Sequence, residues 1–160
     1  MTQCVFYGLA SKHFGISNLY PFHLQAVSTT VSGRDGLVIQ ATGKGKSLCY
    51  QLVALQQKKL AFVFVPTLAL MYDQVLHLQA KGIAAAALCN DSDSIDSLSS
   101  STGACVVYLT AEHIYGPTAC ECNRQLNLLQ QLADEGRIGV IALDEAHLLL
   151  EWEHLRYLVN

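Results

Sequence analysis

Short apolar runs recur along the chain, and they are the feature that most restricts its fold. They are Leu37–Ile39, Leu60–Val65, Ile83–Leu88, Cys105–Leu109 and Ile138–Leu143. Continuous apolar runs of this length are typical of strands buried on both faces, which is the situation of strands in parallel sheets. We therefore predict a sheet that is mostly parallel.

Helical spacing of apolar residues separates several of these runs. It begins at Lys46, recurs over Leu68–Lys81 up to the stop at Gly82, and recurs again over Gln125–Ala133. Residues Asn90–Gly103 are rich in Asp and Ser without periodicity and are predicted to form a loop. Strands that alternate with helices predict an α/β fold with helices on both faces of the sheet.

The composition is compatible with one domain that has a substantial core. Hydrophobic residues make up 51% of the 160 positions and charged residues 14%. The longest apolar stretch, Leu60–Tyr72, is interrupted by Pro66 and is shorter than the roughly 20 residues that a membrane-spanning helix needs. Residues Met1–Phe14 do not resemble a secretory signal. We expect an intracellular protein without a membrane segment.

Charge and cysteine content do not indicate a partner. The net charge is −3 and the pI is near 6.0, whereas a nucleic-acid-binding domain usually has a basic face. Of the six cysteines only Cys120 and Cys122 are close, with one residue between them, which is not the spacing of a zinc site. We predict reduced thiols, and any evidence for DNA binding has to come from motifs.

The segment Gln40–Ser47 is the strongest local signal for chemistry. It reads Gln-Ala-Thr-Gly-Lys-Gly-Lys-Ser and lies between a predicted strand and a predicted helix, as a phosphate-binding loop does. Glycines let the backbone N–H groups face phosphate oxygens, Lys46 supplies positive charge to the β and γ phosphates, and the Ser47 hydroxyl can reach Mg²⁺. The predicted nucleotide-binding residues of this loop are Thr42, Gly43, Lys44, Gly45, Lys46 and Ser47. The strict pattern has glycine at position 40, so a simple Gly/Lys turn is the alternative.

The second signal is the acidic sequence Asp144-Glu145-Ala146-His147, which directly follows the last apolar run. Ligands of parallel sheets bind at the carboxyl ends of the strands. Asp144 is predicted to hold Mg²⁺ through water, and Glu145 to orient or deprotonate the water that attacks the γ-phosphate. An Asp-Glu pair at a helix start is more often structural, but with an upstream phosphate loop that alternative requires two independent parts of one site to coincide.

Three motifs in this order resemble RecQ-type helicases of superfamily 2, whose acidic motif is the DEAH box. They lie at Thr42–Leu52, Ala69–Val75 and Asp144–Trp152, and the resemblance extends from about Phe14 to Trp152. It implies a RecA-like P-loop NTPase lobe with ATP and Mg²⁺ as cofactors. On this basis residues 1–27 form an N-terminal segment with a divergent adenine-recognition motif, and residues 28–160 form the helicase ATP-binding domain.

The resemblance also implies DNA as the partner, as single strands or a 3′-tailed duplex, and nuclear localisation in a eukaryote. Pro66–Gln74 and Thr110–Glu112 would contact the DNA backbone. His147 would bind nucleotide and carry the ATP signal toward the loop of Trp152. Packing alone is the alternative for each of these segments, and Cys49, Tyr50 and Leu52 are interpreted as the core of the helix behind the phosphate loop.

The sequence departs from the family pattern at several positions. With gap-free spacing from Lys46, the adenine-reading glutamine of the family falls on His23 and the arginine on Tyr20. Gln25 is a nearby substitute, and an amphipathic helix without a base-reading role is the alternative. Further departures are Ala41 and Ala111, where the family has proline, and the apolar stretch Leu148–Leu150.

In the family, a further strand and a second lobe with an arginine finger follow the acidic motif. The sequence stops at Asn160, before the motif III strand, and we expect exposed strand edges and apolar surface where that strand would lie between the phosphate-loop and acidic-motif strands. Little or no helicase activity is expected without the second lobe. A non-enzymatic remnant that binds nucleotide or DNA is the alternative, and a small-molecule kinase is a weaker one.

Overall fold

The computed structural model of the chain describes residues 2–88, 105–110, 127 and 129–146, and these form helices around one parallel sheet. The helices are α1 (Thr2–Phe14), α2 (Pro21–Val31), α3 (Leu48–Gln57) and α4 (Leu68–Gln79), and residues 129–134 are also helical. The strands are β1 (Leu60–Phe64), β2 (Ala84–Ala87), β3 (Cys105–Leu109) and β4 (Ile138–Leu143). Four of the five predicted strands and the predicted helices after Lys46 and Leu68 are thus confirmed.

The four strands are all parallel and lie in the order β2-β3-β1-β4. Strand β1 is central, because its Ala61–Phe64 stretch pairs with β3 on one side and β4 on the other. The pairing with β4 shifts by one residue after Leu60, so that Ala61 lies opposite Val140. The carboxyl ends of all four strands meet at one edge of the sheet, where ligands of such sheets bind.

The predicted strand at Leu37–Ile39 is wrong. These residues have no strand conformation, and the side chains of Leu37 and Ile39 are 80% and 79% exposed. A three-residue run makes ladder hydrogen bonds only beside a partner strand, and no described strand pairs with it. The first predicted strand–loop–helix–strand unit therefore lacks its first strand, and an irregular segment leads into the phosphate loop.

Helices cover both faces of the sheet, as predicted. One face packs against α3 and α4 in a buried cluster that includes Val63, Val106 and Tyr108. The other face packs against Leu129 and Leu132 of the 129–134 helix. Of the described strands β4 is the outermost on its side, and Ile141 and Leu143 on it are 58% and 51% exposed. The apolar surface that was expected beside the acidic-motif strand is present, but the phosphate-loop strand that would border it on the other side is not formed.

Helices α1, α2 and α3 pack together in a separate apolar cluster. Phe6 of α1, Val27 of α2 and Leu52 of α3 are fully buried there. Helix α1 was not predicted from the sequence. The predicted boundary between residues 27 and 28 falls inside α2, which is continuous through Val31. Helix α3 joins this cluster to the sheet, so α2 has a fixed position beside the phosphate loop.

Among the described residues no helix combines the length and the apolar character that a bilayer crossing requires.

Candidate nucleotide-binding site

The phosphate loop Gln40–Ser47 lies directly before α3 and has an irregular backbone held by two glycines. Gly43 and Gly45 have φ angles of +79° and +74°, which side-chain-bearing residues adopt only with strain. The Lys44 N–H donates to the carbonyl of Ala41, and the Leu48 N–H donates to that of Gly45. The two left-handed glycines and these internal hydrogen bonds give the loop its turned backbone.

Lys46 closes the loop on itself. Its Nζ donates to the carbonyl oxygen of Gln40 at 3.3 Å, so the ammonium group links the end of the loop to its first residue. Because the acceptor is the backbone carbonyl of position 40, this hydrogen bond does not depend on the side chain at that position. The glutamine at a position where the strict motif has glycine is therefore accommodated, and Gln40 is exposed.

The two predicted halves of the site meet at Ser47 and Asp144. The Ser47 hydroxyl donates to Oδ2 of Asp144 at 3.4 Å, across 97 positions of sequence. Ser47 precedes α3 but makes no side-chain cap hydrogen bond to it, which leaves its hydroxyl directed at the carboxylate. Asp144 is fixed in turn because its N–H donates to the carbonyl of Phe64, continuing the β1–β4 ladder past the end of β4.

Tyr50 is a third member of this contact that sequence reasoning placed only in the core. Its ring is buried, and its hydroxyl donates to Asp144 Oδ2 at 3.4 Å. Burial, together with the nearby Tyr108 and Asp144, raises the pKa of Tyr50 well above its ordinary value, so the hydroxyl keeps its proton and remains a donor. A buried tyrosine needs a partner for its hydroxyl, which is the signal that could have identified this role.

Glu145 has an unusual backbone conformation. Its φ is +53°, in the left-handed region, and its N–H donates to Oδ1 of Asp144 at 3.1 Å. A left-handed glutamate is strained, and strain of this kind concentrates at functional sites. The carboxylate of Asp144 thus accepts from Ser47 and Tyr50 on one oxygen and from the Glu145 backbone on the other.

The comparisons with known proteins agree with this geometry. The family model described as DEAD/DEAH box helicase matches residues 20–160. This chain belongs to the DEAD/DEAH box helicases. Within that family it is of the RecQ type, as its relatives show.

Three relatives illustrate the match. The ATP-dependent DNA helicase Q-like SIM of Arabidopsis thaliana is 36% identical over 150 residues, which cover 89% of this chain and 16% of that protein. The putative ATP-dependent DNA helicase Q1 of Caenorhabditis briggsae is 33% identical, covering 91% of this chain and 24% of that protein. The ATP-dependent DNA helicase RecQ of Haemophilus influenzae is 33% identical, covering 88% and 22%. The chain thus spans a quarter or less of these three proteins.

The family motifs fall on the described residues as follows. The phosphate loop and Asp144 and Glu145 of the DEAH box lie together, with Thr42 and Lys44 exposed on the loop. The segment Pro66–Gln74 follows β1 at the same sheet edge, and the Thr67 hydroxyl caps α4 by accepting from the Leu70 N–H at 3.3 Å. Thr110 follows β3 and is buried, with 2% of its surface exposed.

Other predicted positions lie outside the described residues. These are His147, Trp152, Ala111, Glu112 and Leu148–Leu150. Of the cysteines, Cys49 and Cys105 are buried free thiols and Cys4 is an exposed one. Burial raises the pKa of Cys49 and of Cys105 to about 11, which keeps both in the unreactive thiol form.

Proposed function

We propose that this chain is the ATP-binding lobe of a RecQ-type 3′-to-5′ DNA helicase. The full-length protein would couple ATP hydrolysis to DNA unwinding, and this lobe alone would show little or no unwinding. The observation that carries the proposal is the contact between Ser47 of the phosphate loop and Asp144 of the acidic motif.

The residues fit magnesium and a triphosphate. Ser47 Oγ and Asp144 Oδ2 are two possible metal ligands that lie 3.4 Å apart, and hard cations such as Mg²⁺ prefer oxygen ligands. Ser47 and Asp144 would hold the ion, Asp144 through water, and the ion would neutralise phosphate charge. Lys46 would exchange the carbonyl of Gln40 for a phosphate oxygen, because a charged acceptor forms the stronger hydrogen bond.

Glu145 is the proposed catalytic base. It follows Asp144 directly. Its left-handed backbone conformation belongs to neither a strand nor a helix, and this conformation sets the direction of its side chain. Its carboxylate would orient the attacking water and accept its proton. Positive charge from a second lobe would be needed to stabilise the transferring phosphoryl group, so slow turnover is expected for this lobe alone.

DNA is the proposed partner, as in the names of the relatives. The segment Pro66–Gln74 supports this by position, because it starts at the same sheet edge as Asp144 and exposes Leu68 and Tyr72 by 45% and 49%. A helix N-terminus such as that of α4 attracts phosphate groups. DNA binding would be coupled to ATP hydrolysis through contacts along this edge of the sheet.

A titration with Mg-ATP tests the proposal. The chain, Lys46→Ala and the exposed-lysine control Lys12→Ala are compared for binding and for phosphate release, with and without single-stranded DNA. We expect the chain and the control to bind and Lys46→Ala to lose at least about tenfold in affinity. Absence of binding in a sample that circular dichroism shows to be folded would refute the proposal.

One observation favours the second candidate, a non-enzymatic remnant. Leu37 and Ile39 are exposed instead of forming a strand that would anchor the phosphate loop on its N-terminal side. A remnant would bind nucleotide without any turnover, even when a separately expressed second lobe from a relative is added. Phosphate release stimulated by that lobe would exclude the remnant.

A further inference from the structure

His23 connects α2 to the phosphate loop through both of its ring nitrogens. The backbone N–H of Tyr20 donates to Nδ1 at 3.2 Å, so Nδ1 carries no proton. The proton of the neutral ring is then on Nε2, which donates to the carbonyl oxygen of Gly45 at 3.0 Å. The residue is 3% exposed. These two contacts fix both the tautomer and the orientation of the ring.

The two hydrogen bonds of His23 fit the local structure of both α2 and the phosphate loop. On α2, His23 is the third helical residue and reaches back to the N–H of the capping position, as glutamate or glutamine does in a capping box. On the loop, a Cβ added to Gly45 would lie 3.6 Å from Nε2 of His23, and the φ of Gly45 is +74°. One buried ring thus holds the first turn of a helix and the middle of the phosphate loop together.

A residue that distinguishes adenine from guanine needs free hydrogen-bonding groups. The two bases differ where adenine carries an amino donor and guanine a carbonyl acceptor. His23 has neither a free donor nor a free acceptor, since both nitrogens are used within the protein. Gln25 is two positions along the same helix, where side chains do not face the same side as His23.

Tyr20 offers a different kind of contact beside the loop. Its ring is 50% exposed, and the ammonium of Lys44 lies 5.4 Å from the ring centroid. An aromatic face stacks on every base, because each base has a π face, and it therefore adds affinity without selecting one base.

We propose that His23 is a positioning residue of the phosphate loop and that the site takes nucleoside triphosphates without distinguishing adenine from guanine. This inference rests on the proposed function, since it concerns the base specificity of the same nucleotide site. Affinity comes from the loop and its charges, and His23 contributes by holding Gly45 in place.

The neutral ring is required for this role. Protonation at Nδ1 would direct a second N–H at the Tyr20 N–H and break that hydrogen bond. Near His23 the loop contributes Lys44, whose ammonium contacts the Tyr20 ring, and the helix cap contributes Tyr20 itself. The apolar cluster that α2 shares with α1 and α3 presents buried hydrophobic side chains such as Phe6 and Leu52. No carboxylate in this described surrounding favours the imidazolium form.

The first experiment measures the affinity of the chain for Mg-ATP and Mg-GTP by calorimetry at neutral pH. We expect the two dissociation constants to agree within about threefold. Affinity for GTP that is more than about tenfold weaker would overturn the inference while leaving ATP binding, and thus the proposed function, intact. Absence of binding by either nucleotide would refute both.

The second experiment uses His23→Ala and His23→Gln. We expect the alanine variant to weaken ATP and GTP by the same factor, because the loop loses a contact that neither base makes. Glutamine can accept from the Tyr20 N–H and donate to the Gly45 carbonyl, so it should restore most of the lost affinity. A loss in His23→Ala confined to ATP, or a preference for ATP that appears in His23→Gln, would show that position 23 faces the base.

A pH series separates positioning from a general structural role. Between about pH 7.5 and about pH 5.5 the affinity of the unmodified chain should fall equally for both nucleotides, and that of His23→Gln should fall less. The control His77→Gln changes an exposed histidine on α4 and should keep the pH profile of the unmodified chain. Identical profiles for the unmodified chain and His23→Gln would contradict the assigned role.

Discussion

The Ser47 hydroxyl and the Asp144 carboxylate lie 3.4 Å apart, and Asp144 Oδ2 also accepts from Tyr50. This oxygen therefore accepts hydrogen bonds from two donors, Ser47 directly before α3 and Tyr50 within α3. The arrangement joins the phosphate loop, the helix behind it and the end of β4 into one unit. Magnesium binding can therefore be tested with variants of Ser47 and Asp144, because the two side chains that would bind the ion are also hydrogen-bonded to each other.

Ser47→Ala and Asp144→Asn should each remove most of the gain in nucleotide affinity that Mg²⁺ produces. The double variant should lose less than the sum of the single losses, since groups in contact typically show coupling energies of about 0.5 to 3 kcal/mol. Calorimetry with ATP, with Mg²⁺ and with EDTA, measures the four corners of the cycle. The exposed serine of Ser28→Ala serves as the control, and additive losses would mean that the two residues act separately.

Tyr50→Phe should keep the buried ring but release one donor from Asp144. We expect a loss of about 1 kcal/mol in the free energy of unfolding, the usual net contribution of one hydrogen bond, and weaker Mg²⁺ dependence of nucleotide binding. Urea unfolding and the same calorimetry measure the two effects. Tyr7→Phe, at a partly exposed position, is the matched control. Unchanged magnesium dependence would restrict Tyr50 to a packing role.

Glu145→Gly should separate stability from turnover. Glycine adopts the left-handed region without the strain of about 1 kcal/mol or more that a side-chain-bearing residue incurs there, so the free energy of unfolding should stay equal or rise. Phosphate release should be lost in this variant and in Glu145→Gln, which keeps the backbone strain. Turnover retained in Glu145→Gln would assign the proton transfer to another residue.

The pH dependence of stability should report His23. Burial lowers the pKa of His23 from its ordinary value of 6.5, with hydrogen bonds to the Gly45 and Lys44 backbone opposing this effect. The unfolded chain therefore takes up the proton first as the pH falls. The contribution of His23 to stability is complete above pH 6.5 and is lost as the pH falls below 6.5 toward the lowered value. The melting temperature of His23→Gln should change less over this range, and parallel curves would contradict the shift.

The exposure of Leu37 and Ile39 predicts tolerance of polar residues there. The double variant Leu37→Ser, Ile39→Ser should unfold at nearly the same urea concentration as the unmodified chain and aggregate less, because it removes apolar surface that is about four-fifths exposed. Phe62→Ala, in the sheet core, should cost about 3 to 5 kcal/mol by comparison. A loss of similar size in the serine variant would mean that residues 37–39 pack in solution. Light scattering and urea titration measure both properties.

Much of the sheet followed from local pattern. The runs at Leu60–Val65, Ile83–Leu88, Cys105–Leu109 and Ile138–Leu143 are strands within one residue of the predicted bounds, because continuous apolar runs of this length are typical of strands in parallel sheets. Leu37–Ile39 had the same pattern and is not a strand. Apolar character is a property of the segment, whereas pairing requires a neighbouring strand edge.

The sequence by itself determined the residue types of the site and their order: a glycine-rich loop ending in Lys46 and Ser47, and an acidic pair after a buried run. It did so because phosphate and magnesium restrict which side chains can serve them. Only the tertiary structure decided that Ser47 meets Asp144, that Tyr50 joins them, and that His23 uses both nitrogens within the protein. The contacts of Asp144 join residues that are distant in sequence, and those of His23 depend on the tautomer and orientation of its ring. Tertiary packing determines which distant residues meet and how the ring is oriented.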